Sequence, residues 1–343
     1  MRSIWITPGF AANAQDSTCI PPLYLLAKEL LHRGVDLHII ALEYPNARVA
    51  PREDGMMVYP CRGDNRRWLR WRTFQRARRF AQQLSSEKKA DVVHSFWLGP
   101  AWVVGRQIAR RQNIPHRTTL MGQDVLPQNR YLKGLTPGMA SQLVALSPFH
   151  QNILEKTCGL HAAHEIPWGI AGADVPTQLP KDRPVDVLGV GSLIPVKNWM
   201  QWLEVLRLIV ERQPGVRAEL IGEGPQLEVL KQQTTRLGLA KHLTFPGSLP
   251  RPEVLERMRR SKILLHTGHF ESFGYVFAEA AANGCRVVST PVGAAPAFGI
   301  CSETNTGLAE AVLRILAQPD LQNAKVVYRM EDTAAAYLKL YGG

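Results

Sequence analysis

The chain of 343 residues is 45% hydrophobic, which is enough to form two α/β domains with cores of their own. Its formal net charge of +12 is unevenly distributed, since residues 1–166 hold 22 Lys and Arg against 12 Asp and Glu, whereas residues 167–343 hold 19 against 17. The first half is therefore the part expected to meet an acidic surface or substrate.

Several classes of protein are excluded by the same sequence. No apolar run reaches the roughly 18 residues that a membrane-spanning helix needs. The N-terminal residues MRSIWITPGF are typical of a first strand and not of a signal peptide. The five cysteines are scattered and lack CxxC spacing, which argues against a disulfide framework or a metal cluster and suggests a reducing compartment.

Strand and helix patterns alternate from the start of the chain. Ile4–Ile6 predicts a strand, Ile20–His32 a helix and Val35–Leu42 a second strand. This order predicts a parallel sheet with helices on both faces. The turn after the first strand contains a single glycine, Gly9, so the GxGxxG fingerprint of dinucleotide-binding proteins is absent.

The most basic stretch is Arg62–Arg79, with eight arginines and one aspartate. Read as a helix, it places three arginines along one stripe: Arg72, Arg76 and Arg79. Trp68 and Trp71 have amphipathic rings that suit a membrane interface. Three interpretations remain open: binding to anionic lipid, attraction of an acidic acceptor, or a solvated basic face with the tryptophans in the core. Nucleic acid is not an expected partner, since no nucleic-acid-binding motif accompanies the charge.

Two more strands are predicted in this half, and polar residues follow each. Asp91–His94 ends in a histidine, and His116–Leu120 leads into Met121-Gly122-Gln123-Asp124. Because parallel strands end at one edge of their sheet, these turns are expected near the first turn. His94 is thus a candidate for a ligand-binding edge, although a single histidine at a strand end is more often structural.

A second set of patterns begins at Val185, after a segment rich in Gly, Asp and Pro. Lys197 lies near the start of a predicted helix, where a cation is unfavourable unless an anion binds it. The alternative is that Lys197 is merely solvated. Ala218–Ile221 predicts a strand that ends in the tight turn Gly222-Glu-Gly224.

The strongest local signal lies between residues 263 and 293. Ile263–Leu265 predicts a buried strand, and Phe273–Ala282 predicts an alanine-rich helix that ends at Asn283-Gly284. The unpaired N–H groups and the dipole at the start of that helix suit an anion. Gly274 would let a phosphate approach the backbone closely.

Two carboxylates bracket this helix, Glu271 before it and Glu279 within it. Eight helical residues rotate the side-chain direction by only about 80°, so both acids can address one extended ligand. A carboxylate accepts two hydroxyl donors, which suits a sugar or ribose diol. The plainer alternative is that Glu271 only favours the helix dipole and that Glu279 is solvated.

The spacing Glu271-Ser-Phe-Gly-Tyr-Val-Phe-Ala-Glu279, followed by Val292-Gly293, resembles the signature of retaining glycosyltransferases of family 4. Val187–Asn198 resembles a glycine and lysine segment of that family, and Glu165–Ile170 resembles its interdomain crossover. The resemblance implies an α/β GT-B fold, in which two Rossmann-like, doubly wound parallel-sheet domains face each other across a cleft. The implied parts are an acceptor domain at 1–166, a linker at 167–184, a donor domain at 185–325, and a terminal helix at 326–343 that packs on the acceptor domain.

The resemblance implies that a nucleotide-diphosphate sugar binds the second domain. Glu271 would lie against the sugar, Glu279 would hold the nucleotide ribose, and Lys197 would neutralise the diphosphate. Ser192 stands where the family has an arginine, so a hydroxyl replaces one cation. The remaining donor-side positions are Ser272, Phe273, Gly274, Tyr275, Gly222 in the Gly-x-Gly turn, and Leu249 in the loop that borders the nucleobase.

The first domain would bind the acceptor. The candidate contacts there are Gly9, Asp16, Ser17, His94, Gln123 and Asp124. Met121 occupies the position where the family commonly has a histidine that touches the donor sugar, so no catalytic histidine is assigned.

The function that the resemblance implies is transfer of a hexose-type sugar with retained anomeric configuration. The acceptor would be a glycan, a lipid-linked sugar or a small molecule, in cell-envelope polysaccharide biosynthesis. No cofactor or metal is expected, and the protein would be cytoplasmic or peripheral on the inner membrane. Two alternatives remain: another GT-B enzyme, such as a nucleotide-sugar epimerase, or a non-catalytic module that binds a nucleotide sugar or a membrane.

Overall fold

The structure, a computed structural model, describes residues 1–16, 19–46, 54–318 and 323–342. Ser17, one of the acceptor candidates, lies outside these residues. The chain divides into two compact units, one made of Met1–Trp168 and Met330–Gly343 and the other of Gly169–Arg329. Of the linker suggested at 167–184, residues 167–168 thus group with the first unit and residues 169–184 with the second.

The first unit is built on a parallel sheet. In chain order its described strands are β1 (Arg2–Gly9), β2 (Asp36–Tyr44), β3 (Met57–Pro60), β4 (Val92–Phe96), β5 (His116–Thr119), β6 (Leu143–Ala145) and β7 (His164–Glu165). Their order across the sheet is β3-β2-β1-β4-β5-β6-β7, and each neighbouring pair is parallel. The helices that follow the strands are α1 (Pro21–His32), α2 (Arg70–Glu87), α3 (Pro100–Gln112) and α4 (Pro148–Cys158).

The strand β1 lies in the interior of this sheet, between β2 and β4, and its middle residues are apolar on both faces. Ile4, Trp5 and Ile6 are fully buried, as a parallel strand covered by helices on both sides requires. The strand order reverses between β1 and β4, and ligands of such sheets bind beyond the carboxyl ends of the strands at that point.

The basic segment differs from its prediction. Its helix α2 begins at Arg70 and not at Arg62, because Arg62, Asp64 and Asn65 adopt left-handed backbone angles with φ of 57°, 53° and 54°. Trp68 and Trp71 are each 71% exposed, so the interpretation that places them in the core is wrong. Across the described residues, no helix is both long and apolar enough to span a membrane.

The second unit contains another parallel sheet. Its described strands are β8 (Val185–Val190), β9 (Ala218–Ile221), β10 (Leu243–Gly247), β11 (Ser261–His266), β12 (Arg286–Ser289) and β13 (Gly299–Cys301), in the order β10-β9-β8-β11-β12-β13. The helices are α5 (Trp199–Arg212), α6 (Leu227–Arg236), α7 (Arg251–Arg259), α8 (Tyr275–Ala282), α9 (Ala295–Phe298) and α10 (Asn305–Leu316). Here the strand order reverses between the neighbours β8 and β11.

Two tryptophans at the start of α5 form hydrogen bonds to the loop after β8 and to β11. Trp199 and Trp202 are buried in the core of the second unit. The indole N–H of Trp199 donates to the carbonyl of Ser192 at 2.9 Å, and that of Trp202 donates to the carbonyl of Leu265 at 3.0 Å. The loop between β8 and α5 is therefore held by the buried Trp199, and α5 itself is held on β11 by Trp202.

The last helix, α11 (Met330–Gly342), belongs to the first unit. Its Tyr341 hydroxyl accepts from the indole N–H of Trp5 at 3.1 Å and lies 2.5 Å from Nδ1 of His94. The hydroxyl of Tyr337 lies 2.9 Å from Oγ1 of Thr119. Buried polar groups of three strands thus find their partners on this helix, which satisfies their hydrogen-bonding requirement.

Candidate functional site

The candidate site lies beyond the carboxyl ends of β8 and β11, where the strand order of the second unit reverses. Lys197 is in the turn after β8, and Glu271 is in the loop after β11. The two loops are joined by hydrogen bonds from the His269 N–H to the Val196 carbonyl at 2.9 Å and from the Thr267 hydroxyl to the Asn198 carbonyl at 3.0 Å. The fold therefore brings together two residues that are 74 positions apart in sequence.

The Glu271 carboxylate has two basic neighbours. Its Oε1 forms an ion pair with Nζ of Lys197 and lies 3.0 Å from Nε2 of His266. The side chains of Lys197 and Glu271 are 20% and 14% exposed. Burial would raise the pKa of Glu271, but Lys197 and His266 outweigh it and lower the pKa to about 2. The carboxylate is therefore ionised at neutral pH.

The turn between β11 and α8 presents backbone N–H groups. Gly274 caps α8 with a φ of 79°, and a β-carbon there would overlap the Phe277 ring, so glycine is required. The first N–H groups of a helix have no acceptor within it and attract anions. Phe273 is buried against Phe298 and Tyr328, so only its backbone is available to a ligand. Ser272 and Tyr275 are half-buried.

Glu279 is held by an arginine outside the sequence motifs, Arg251. Nε of Arg251 donates to Oε1 of Glu279 at 2.7 Å, and its Nη1 and Nη2 donate to the two carboxylate oxygens of Asp174 at 3.1 and 2.8 Å. All three side chains are at most 15% exposed. Burial raises the pKa of Glu279, and Arg251 opposes this rise. The hydroxyl of Tyr275 donates to the Gly169 carbonyl at 3.2 Å beside this cluster.

The remaining donor-side candidates follow three successive strands of the same sheet. Ser192 is exposed after β8, Gly222 follows β9, and Leu249 is half-buried after β10. Gly222 has a φ of 150°, and a β-carbon there would overlap the Gly191 carbonyl oxygen. The loops therefore pack too closely for any other residue, and the three positions share one edge of the sheet with Lys197 and Glu271.

The acceptor-side candidates belong to the first unit, and they are not equally available. Gln123 is exposed, and Gly9 is buried at the end of β1. Asp16 is half-buried and accepts from the Tyr44 hydroxyl at 2.8 Å.

Two of these candidates are buried and serve the fold, which corrects their assignment as ligand contacts. His94 is fully buried between Thr119 and Tyr341, and burial holds its pKa well below the usual value. Asp124 accepts from the N–H groups of Leu98, Gly122 and Met121 at 2.7 to 3.2 Å. It ties together the loops after β4 and β5.

His266, Arg251 and Asp174 were not predicted from the sequence. His266 ends the apolar run of β11 five residues before Glu271, so a polar residue at a strand end was an available signal. No sequence pattern marks Arg251 and Asp174 as site residues, because their hydrogen-bond partners are distant along the chain. No group of three or more His, Cys, Asp or Glu side chains within the described ranges could hold a metal ion.

Two family models match the chain. The model described as "Glycosyl transferases group 1" matches residues 174–325, which contain the candidate site. The model described as "Glycosyltransferase Family 4" matches residues 23–171.

One curated relative is a glycogen synthase of Mycobacterium tuberculosis, which is 29% identical over 148 residues. The match covers 41% of this chain and 36% of that relative, so the chain spans about a third of its length.

Two solved structures show the fold. Sucrose-phosphate synthase from Thermosynechococcus elongatus has a TM-score of 0.74 at 17% identity, over 99% of this chain and 98% of that one. The Anabaena protein HepE in complex with UDP and glucose has a TM-score of 0.70 at 18% identity, over 100% of this chain and 97% of that one. These similarities confirm the expected fold of two parallel-sheet Rossmann-like domains.

Proposed function

Since the chain belongs to the family 4 glycosyltransferases with the GT-B fold, we propose that it moves a hexose-type sugar from a nucleotide-diphosphate sugar to an acceptor with retained configuration. The observation that supports this most directly is the meeting of Lys197, Glu271 and the N-terminus of α8 at the strand-order reversal of the second unit. This arrangement offers a cation and backbone donors for a diphosphate beside a carboxylate for a sugar hydroxyl.

Each group has a role that follows from its chemistry. Lys197 and the first N–H groups of α8 would stabilise the negative charge that develops on the leaving diphosphate. Glu271 would accept hydrogen bonds from sugar hydroxyls and orient the ring. Glu279, whose Oε1 already accepts from Arg251, would accept from a ribose hydroxyl through its remaining lone pairs.

The transfer replaces one bond at the anomeric carbon. The bond from that carbon to the diphosphate oxygen breaks, and the acceptor oxygen forms its bond on the same face of the sugar. The acceptor hydroxyl gives its proton to a phosphate oxygen of the leaving diphosphate. Glu271 is already ionised and hydrogen-bonded to Lys197 and His266, which favours an orienting role for it over that of the proton acceptor.

A ligand screen and a hydrolysis assay test the proposal together. A ligand that binds only the native protein raises the melting temperature, so one member of a panel of UDP-, GDP- and ADP-sugars should do so. The same compound should slowly release nucleoside diphosphate without an acceptor. Binding without release, with every acceptor class tried, would favour the non-catalytic module, and no binding to any member would contradict the proposal.

The replacement Lys197→Gln is expected to weaken nucleoside diphosphate binding by about tenfold or more. A hydrogen bond to a charged group contributes about 1.5 to 3 kcal/mol, and 1.4 kcal/mol corresponds to a factor of ten. Titration calorimetry with the diphosphate identified by the screen measures the change. Lys262→Gln is the matched control, since Lys262 pairs with Asp186 in the same unit at 2.7 Å. Equal affinities for the two variants would remove Lys197 from the diphosphate site.

The partner of the first unit is proposed to be an anionic membrane surface. Trp68 and Trp71 are exposed, as are Arg72, Arg76 and Arg79 of α2. Indole rings bury in the interface of a bilayer, and each nearby cation adds about 1 kcal/mol on anionic lipid. An acceptor that is linked to lipid would be met at such a surface, which fits a role in cell-envelope glycan synthesis.

Flotation with liposomes tests this surface. Replacing Arg72, Arg76 and Arg79 with Gln is expected to weaken binding to phosphatidylglycerol vesicles by about a hundredfold, because three cations are lost. Trp68→Ser with Trp71→Ser should also reduce it, whereas Val229→Ser, at a 52% exposed position of the second unit, should not. If the unaltered protein does not float with anionic vesicles, there is no membrane surface here.

A further inference from the structure

The groups expected to bind the diphosphate and the sugar of a donor are bound to each other in this structure. Lys197 and Glu271 form an ion pair, although a diphosphate would need Lys197 and a sugar would need Glu271. A diphosphate carries more negative charge than a carboxylate, so it competes strongly for the ammonium group. Binding of a donor would therefore take Lys197 away from Glu271.

Once Lys197 is engaged by phosphate, His266 is the remaining ion-pair partner that the described residues offer to the Glu271 carboxylate. Nε2 of His266 lies 3.0 Å from Oε1 of Glu271, and the imidazole is only 2% exposed. The ring is fixed at its edge by the Phe277 ring, with centroids 4.9 Å apart at 84°. A group held this way keeps its position when Lys197 moves.

The hydrogen bonds also determine which ring nitrogen of His266 carries the proton. The Gly268 N–H donates to Nδ1 at 3.3 Å, so Nδ1 must be the acceptor. The proton is then on Nε2, which donates to Glu271. Burial lowers the pKa of His266, so the ring is neutral at pH 7 and acts as a hydrogen-bond donor without adding a competing positive charge.

We propose that His266 is the positioning residue that holds the Glu271 carboxylate in place while the donor diphosphate occupies Lys197. This inference rests on the proposed function, because it assigns the diphosphate to Lys197 and the sugar to Glu271. The proposal adds to the site a residue, His266, that lies outside the Glu-x₇-Glu motif formed by Glu271 and Glu279. The charged groups that face Glu271 are Lys197 and His266, and those that face His266 are Glu271 and Lys197.

The first test compares His266→Leu with His266→Gln. Leucine fills the site without a donor, and it should lower kcat for nucleoside diphosphate release by about ten- to hundredfold, as expected when a reacting group is misplaced. The KM for the donor should change by less than about threefold, because Lys197 and α8 still bind the diphosphate. Glutamine retains an N–H donor and should restore most of the lost activity. His242→Leu, at a half-buried histidine of the same unit that contacts the Val216 carbonyl, is the matched control.

The pH dependence of kcat distinguishes this role from a general loss of stability, which would lower kcat without shifting its acidic limb. In the donor-free protein Lys197 and His266 together lower the pKa of Glu271 to about 2. In the donor complex, which kcat reports, Lys197 is withdrawn and His266 remains as the donor that keeps the carboxylate ionised. In His266→Leu, the acidic limb of kcat should move to higher pH, because the carboxylate has lost a donor while Lys197 is occupied. An unshifted limb, or a leucine variant as active as the glutamine variant, would overturn the proposal.

A titration without any substrate keeps the inference separate from the proposed activity. Lys197→Met imitates the withdrawal of Lys197, and the carboxyl carbon of Glu271 can be followed by NMR, assigned with Glu271→Gln. The Glu271 pKa should be higher in Lys197→Met with His266→Leu than in Lys197→Met alone. Equal values would overturn the role of His266 even if transfer activity is found, whereas a difference without activity would leave only the glycosyltransferase assignment in error.

Discussion

The replacement Glu271→Gln is expected to lower the release of nucleoside diphosphate by about a hundredfold or more. Misplacing a reacting group by about 1 Å can cost a factor of that size. Glutamine has nearly the shape of glutamate and keeps one oxygen that can accept from His266, but it loses the charge that pairs with Lys197 and replaces the second carboxylate oxygen with a donor. The measurement is the rate of diphosphate release at saturating donor, with the affinity for the free nucleoside diphosphate measured in parallel.

The control for this variant is Glu219→Gln. The Glu219 side chain is 14% exposed, as is that of Glu271. Glu219 lies on β9 of the same unit and forms an ion pair with Arg257 at 2.8 Å. Both variants remove one carboxylate of similar burial, so both bear a similar risk to stability. A rate that falls equally in the two variants would mean that Glu271 contributes to the fold and not to the reaction.

The replacement Arg251→Ala is expected to destabilise the second unit by about 3 to 5 kcal/mol, because it leaves two buried carboxylates without their partner. Arg251 makes both hydrogen bonds to Asp174 and one to Glu279, with all three side chains at most 15% exposed. The free energy of unfolding in urea, followed by tryptophan fluorescence, measures the loss.

The loss should be partly recovered when the unpaired charges are removed as well. Asp174→Asn in the Arg251→Ala background is expected to be more stable than Arg251→Ala alone, whereas Asp174→Asn by itself should be destabilising. Arg207→Ala is the control, because Arg207 pairs with exposed Glu204 and Glu211 and such surface pairs contribute about 1 kcal/mol or less. If Arg251→Ala costs no more than Arg207→Ala, the buried cluster does not stabilise the unit.

The fold could be predicted from sequence because its signals are local. Apolar runs such as Ile4–Ile6 are buried on both faces of a parallel sheet, and Ala218–Ile221 forms a strand with those same ends. The predicted start of α2 was wrong because three polar residues before the helix adopt left-handed backbone angles. A helical pattern of charges does not reveal such angles.

The site was predicted only in part, for a physical reason. Lys197 and Glu271 belong to motifs, and the structure brings them into contact. Arg251 pairs with Asp174 across 77 residues, and no spacing along the chain encodes such a pair. His94 and Asp124 looked like ligand contacts since both are polar and near strand ends, yet each is turned inward to satisfy buried donors or acceptors.

The placement of α11 has a consequence for biosynthesis. The second unit is one continuous stretch, Gly169–Arg329, whereas the first is completed only by Met330–Gly343. When residue 329 has been translated, every residue of the second unit has been synthesised. Trp5 and His94 of the first unit still lack their hydrogen-bond partner, Tyr341. We therefore expect the unit that is translated second to mature first, leaving the nascent N-terminal sheet as the part in need of chaperones until α11 has left the ribosome.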